Sequence, residues 1–187
     1  IVCREKELIS TLNNLKSYPD LVIVDSNSLS QIADSIPEKI KLTTFSLLIA
    51  RHRGDLPLFI KSLRKIENLK NGDKILIAEV CAHHSQEDGI GTIKIPKWLK
   101  RYTKKDLQID IYHGTELPEN LSAYKLIVHC GGCLLTHQAM QTRIKETKLM
   151  DIPIVTYGVI TSHMHGAIPR ALVPFENALT EWDRTNK

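Results

Sequence analysis

Long apolar runs are missing from this 187-residue sequence: none approaches the about 20 residues that cross a bilayer, and no signal-peptide blocks stand at its start. A soluble, cytoplasmic protein with no membrane partner is expected. Aromatic residues are scarce at 5%. The cluster Lys94, Lys97, Lys100, Arg101, Lys104 and Lys105 therefore lacks the interleaved rings of a nucleic-acid surface, and it reads as a solvated helix face or a docking patch for an acidic protein. Four cysteines are too few for a disulfide framework in a chain that is 42% hydrophobic and can build its own core, so metal or redox chemistry is the better expectation for them. No G-x-x-x-x-G-K-[ST] phosphate loop occurs, which removes the argument for nucleotide hydrolysis, and there is no internal repeat or low-complexity linker. The chain opens on Ile1 rather than methionine, and the natural polypeptide is expected to extend upstream.

What is present is a rhythm of helices and short strands. Leu8, Ile9, Leu12 and Leu15 predict a helix from about Arg4 to Lys16, followed by a strand at Leu21 to Val24 and a short helix that stops at Pro37. A helix from Thr44 to Arg53 ends at Gly54, and Asp55 with Pro57 opens another that turns Phe59, Ile60, Leu63, Ile66 and Leu69 inward. Beyond it, Lys74 to Val80, Leu107 to Tyr112, Tyr124 to His129 and Pro153 to Gly158 read as buried parallel strands. Between them lie a short helix around Trp98 and a longer one from about Leu134 to Met150, with Leu135, Met140 and Ile144 on its apolar side. The predicted architecture is a Rossmann-like α/β layer, a parallel sheet flanked by helices.

Two of these strands run directly into sulfur. Cys81 follows Ile75 to Val80 and Cys130 follows Leu126 to His129, which places both thiols at carboxyl ends that share one edge of a parallel sheet. Gly131 and Gly132 let the chain turn, Cys133 follows, and a helix starting near Leu134 would point its free N–H groups at the same place. Three thiolates, glycine amides and a helix dipole suit a bound anion such as an iron–sulfur cluster. Two other chemistries use similar residues. A thioredoxin-type pair, Cys130-x-x-Cys133, would give Cys81 no role. A zinc-stabilised interaction module would have a lone cysteine 49 residues before its single C-x-x-C pair.

Histidines and acids surround the cysteines. His83, His84, Glu87 and Asp88 ride on a polar loop from Ala82 to Gly91, from which Asp88 is the first candidate for a fourth, exchangeable ligand and His83 a second. His129 is either a ligand or a supporting histidine, because alternation along the strand turns it from the face Cys130 uses. His84, Gly131 and Gly132 are expected to line the bound group. His163-Met164-His165 follows the last strand and is a candidate to reach the same edge, with the first turn of a helix as the alternative, while Cys3 has no partner spacing.

These residues carry a resemblance. Ile77-Ala78-Glu79-x-Cys81-x-His83-His84, then Asp88-x-Ile90-Gly91-x-Ile93-Lys94-Ile95-Pro96-x-Trp98, then Ile127-x-His129-Cys130-Gly131-Gly132-Cys133 resembles the HydF family, the scaffolds of FeFe-hydrogenase maturation. Leu117-Pro118-Glu119-x-Leu121-Ser122-x-Tyr124-Lys125-Leu126, Leu42-Thr43-x-Phe45-Ser46 and Ala50-Arg51-x-x-Gly54-Asp55-Leu56 extend it over most of the chain. The resemblance implies a GTPase domain that this chain does not contain, the C-terminal part of a smaller α/β dimerisation domain at residues 1–45, and an iron–sulfur cluster domain at 46–187. It also implies that Cys81, Cys130 and Cys133 hold a 4Fe-4S cluster, with His83 and His129 matching motif histidines. The cargo would be a transient diiron precursor made with radical-SAM maturases and delivered to apo FeFe-hydrogenase. On this reading the chain is a homodimeric carrier and no enzyme.

Overall fold

A computed structural model describes residues 1–26, 28–80 and 89–185. The chain opens with a short 3-10 turn at Glu5–Glu7 and helix α1, Leu8–Asn13. This is less than the predicted Arg4 to Lys16: Leu12 alone in the helix is buried, with Leu8 and, beyond its end, Leu15 packed only in part against the core. Strand β1, Leu21–Val24, pairs in parallel with β2, Lys41–Thr44, through the crossover helix α2, Leu29–Ile32. Thr44 ends β2 and at once caps helix α3, Phe45–Arg53, its hydroxyl accepting the Leu47 N–H at 3.2 Å. Asp55 caps α4, Leu56–Glu67, in the same way at 3.0 Å, with Pro57 in the first turn, and Leu56, Phe59, Ile60, Leu63 and Ile66 form the buried stripe.

The main sheet then forms from β3, Lys74–Glu79, β4, Gln108–His113, β5, Leu126–His129, and β6, Ile154–Thr156. Its order is β4-β3-β5-β6, with every neighbour parallel. Residues Ile75 to Ala78 and Leu126 to Val128 are closed to solvent on both sides, as continuous apolar runs in a helix-covered parallel sheet must be. Helices α5, Ile95–Thr103, α6, His137–Leu149, α7, Tyr157–Met164, α8, Ile168–Leu172, and α9, Glu176–Thr185, complete the flanking layers. The α/β class read from the sequence is the one observed. Among the described residues no helix is long and apolar enough to cross a membrane.

The connection from β3 builds outward to β4, returns past β3 to β5, and continues the other way to β6. Strand order thus reverses between β3 and β5, and a crevice outside their carboxyl ends is where sheets of this kind hold ligands. Helix α7 follows β6 without a loop, and this is why the strand expected to reach Gly158 stops at Thr156. Gly158 faces α3 so closely that an added Cβ would stand 1.9 Å from the Ser46 Cβ and 3.2 Å from its Cα. Gly158→Ala is therefore expected to destabilise the chain by about 1–3 kcal/mol. An unchanged urea midpoint would show that the α3–α7 contact yields freely.

Candidate metal centre

The site is built on the seam between β3 and β5. The parallel ladder continues one step beyond His129, where the Cys130 N–H donates to the Ala78 carbonyl at 2.9 Å. The Cys130 thiol lies inside, and its Sγ accepts the Val80 N–H at 3.4 Å. Val80 is the last described residue before the loop. Cys81, His83, His84 and Asp88, with Glu87, lie outside the described residues.

After Cys130 the chain turns through Gly131 and Gly132. Gly132 adopts φ +65°, a conformation that favours glycine, and a Cβ on Gly131 would meet no atom of the described residues within 4 Å. Cys133 is exposed. Arg53 fastens this turn from α3, donating to the carbonyls of Leu135 at 2.7 Å and Gly132 at 3.2 Å, and Gln141 answers from α6 by donating to the Arg53 and Gly54 carbonyls. Helix α6 begins at His137, later than the predicted Leu134, because the Thr136 hydroxyl caps it by accepting the Ala139 N–H. The amides of Val80 and Gly132 serve the Cys130 sulfur in place of the helix end. Burial pushes the Cys130 thiol up, and these two N–H groups oppose the shift.

His129 faces the other way and is fully buried. Its Nδ1 bonds the Cys130 carbonyl, which can only accept, so that nitrogen carries the proton. Its Nε2 then accepts from the Arg143 guanidinium at 2.6 Å, and Arg143 also donates to the Gly114 carbonyl at 3.1 Å. Burial, with the Arg143 charge assisting and the Cys130 carbonyl opposing, takes the His129 pKa down to about 4. Both ring nitrogens are engaged, so the geometry favours a supporting histidine over a ligand.

Glu79, the last residue of β3, is 2% exposed. Its Oε1 accepts the Tyr157 hydroxyl at 2.9 Å, and its Oε2 stands 3.3 Å from His113 Nδ1 with no hydrogen bond among the described residues. Gly91 closes over this pair, since a Cβ there would fall 2.0 Å from the Tyr157 oxygen and 2.1 Å from Glu79 Oε1. That contact anchors the far end of the loop from Ala82 to Gly91.

One expectation changes. His163 and His165 do not reach this edge: α7 starts at the carboxyl end of β6 and carries them to its far end. There His163 meets the Tyr102 hydroxyl at 3.1 Å and the Trp182 ring, while His165 sits edge-on to Trp98. Cys3 is half-buried in the N-terminal segment and forms no disulfide. Among the described residues no three potential ligands gather into a metal site, and the two thiols present at the edge are Cys130 and Cys133. Arg53, Gln141, Glu79 and Arg143 are supporting residues that sequence reasoning missed. Arg143 had left a signal, a charge placed beside Ile144 on a stripe otherwise facing inward.

Fold and site together define a class, a doubly wound parallel α/β unit with cysteine thiols at its topological switch point. Residues 1–54 match the Hydrogen maturase F dimerization domain and residues 57–174 the Hydrogen maturase F tetramerization domain. The chain belongs to the HydF family and its place is in hydrogenase maturation. Both matched domains are oligomer-forming units rather than catalytic ones. None of the curated proteins matches the chain.

Proposed function

We propose that this chain is a carrier that holds a 4Fe-4S cluster through Cys81, Cys130 and Cys133 and hands a diiron precursor to apo FeFe-hydrogenase. The observation that carries this reading is the Cys130 sulfur at the β3–β5 seam, receiving the backbone N–H of Val80, whose next neighbour in sequence is Cys81. The donor set fits the group. A buried sulfur with two amide donors and an exposed second thiol three residues on suit an anionic thiolate-bound cluster. When bound, the cluster supplies an iron that takes an exchangeable ligand, and Asp88 or His83 is the candidate to occupy it in the resting state.

A thiol oxidoreductase fits less well. Its attacking cysteine should be exposed and its pKa lowered, whereas Cys130 is buried and pushed up. Exposed Ile23, Phe45 and Ile49 on the N-terminal unit agree with a subunit interface and support a homodimer. The radical-SAM maturases would supply the cargo, and the cytoplasm is the proposed compartment.

Anaerobic reconstitution with iron and sulfide tests the reading. A brown protein with about four irons and a reducible EPR signal is expected. A colourless protein that retains zinc would replace it with the zinc module. Asp88→Ala is expected to keep the iron while changing the EPR line shape on adding imidazole; an unaltered response would remove Asp88 as the fourth ligand.

A further inference from the structure

Arg143 breaks the ordinary rule for an inward helix face. It lies on the stripe of α6 that Met140, Ile144 and Thr147 turn inside, and only 4% of it is exposed. Buried guanidinium groups are ordinarily paired with carboxylates. Among the described residues no carboxylate reaches ion-pair distance from Arg143, and its hydrogen bonds run to two neutral acceptors, His129 Nε2 at 2.6 Å and the Gly114 carbonyl at 3.1 Å. Burial pushes its guanidinium down, and of the charges opposing that, the Cys130 thiolate comes first, ahead of Glu146, Tyr112 and Glu116. The link is also covalently short, for the histidine that Arg143 grips gives its other N–H to the carbonyl of Cys130. Half-buried Arg53 adds a second cation at the turn itself, again bonded to carbonyls.

We propose that Arg143 is the built-in countercharge of the thiol site, a positioning residue whose buried cation balances the anionic group held at Cys130 and sets how readily that group accepts an electron. The inference rests on the cluster reading above for its redox consequence, though the charge complementarity belongs to the chain alone. In a medium of low dielectric a nearby cation favours each added negative charge, and hydrogen bonds, burial and net charge are the levers by which a protein tunes such a cluster. A buried cation with no carboxylate partner among the described residues also accounts for an arginine at a position where leucine would pack.

Reconstituted Arg143→Gln keeps a donor for His129 but loses the charge; Arg143→Lys keeps the charge. With iron content matched to the parent, a spectro-electrochemical titration is expected to place the Gln variant at a reduction equilibrium at least tenfold less favourable, about 59 mV more negative for one electron. The Lys variant should stay within threefold. Equal potentials in the parent and the Gln variant would overturn the proposal. A second comparison needs no cluster and separates this inference from the carrier reading: in the metal-free chain Cys130→Asp should unfold at a higher temperature than the isosteric Cys130→Asn, because the field of the Arg143 cation favours a carboxylate over a neutral amide there. If the Asn variant is equally or more stable, Arg143 is not an unbalanced charge and the proposal falls, even where the parent chain binds iron; if the Asp variant wins, it stands even where the parent binds none.

Discussion

Replacing Cys130 by alanine is expected to leave the chain unable to hold iron, with its content after reconstitution falling from about four atoms per chain to nearly none. Cys130 is singled out because, among the described thiols, its sulfur is the one held at the end of a strand ladder. The strand ladder fixes its backbone through the Ala78 carbonyl, and the Val80 N–H fixes the sulfur itself. Cys81→Ala and Cys133→Ala are expected to act in the same direction. The fold should survive the Cys130 change, since the surrounding strands are held by Ile75 to Ala78 and Leu126 to Val128. Circular dichroism unchanged beside lost iron is the predicted pair of results; full iron retention in Cys130→Ala would end the assignment of this edge as the metal centre.

The metal-free chain is expected to lose up to about 3 kcal/mol of stability as pH falls from 6.5 to 4, through His129 alone. Unfolded, its imidazole titrates near 6.5; folded, burial and the Arg143 charge hold it at about 4. Between these values the unfolded chain binds the extra proton and the native chain does not, so acid draws the equilibrium toward unfolding. Above pH 6.5 the contribution is complete and the curve from this residue is flat. His163, held below its ordinary value by burial, acts in the same sense. Urea titrations of the parent and of His129→Gln across this range measure the effect: the variant should lose most of the slope, and equal slopes would assign the acid sensitivity elsewhere.

The strands were legible where chemistry repeats locally. Ile75 to Ala78 and Leu126 to Val128 are unbroken β-branched and aliphatic runs, and such runs have few other uses. Strand β2 was not legible, because Lys41–Thr44 is four residues long and its last member already caps a helix. The N-terminal end of α6 slid from Leu134 to His137 for a similar reason, since Thr136 is the better cap and the carbonyls of Gly132 and Leu135 are claimed by Arg53, 79 and 82 residues away. The thiols of the site could be read from the order of strands and cysteines. Its supports could not: Arg53, Gln141 and Tyr157 come from other elements, and no spacing in the sequence announces such meetings. The helices at Ile168–Leu172 and Glu176–Thr185 also went unread, for want of a long apolar stripe.

The two strands that meet at the seam enter the chain far apart, with β4 and its connections made between them. That separation dictates a sequence of events in time. Pairing β3 with β5 must close a loop of dozens of residues, a slow step that yields its reward only when the sheet is nearly whole. Zinc-finger peptides use their metal to drive folding; here apolar side chains of both strands already belong to one continuous core. If it carries the proposed cluster, a newly made chain would first finish its sheet and only then own a place for that group, so loading would be a late event that a cell can schedule separately from synthesis.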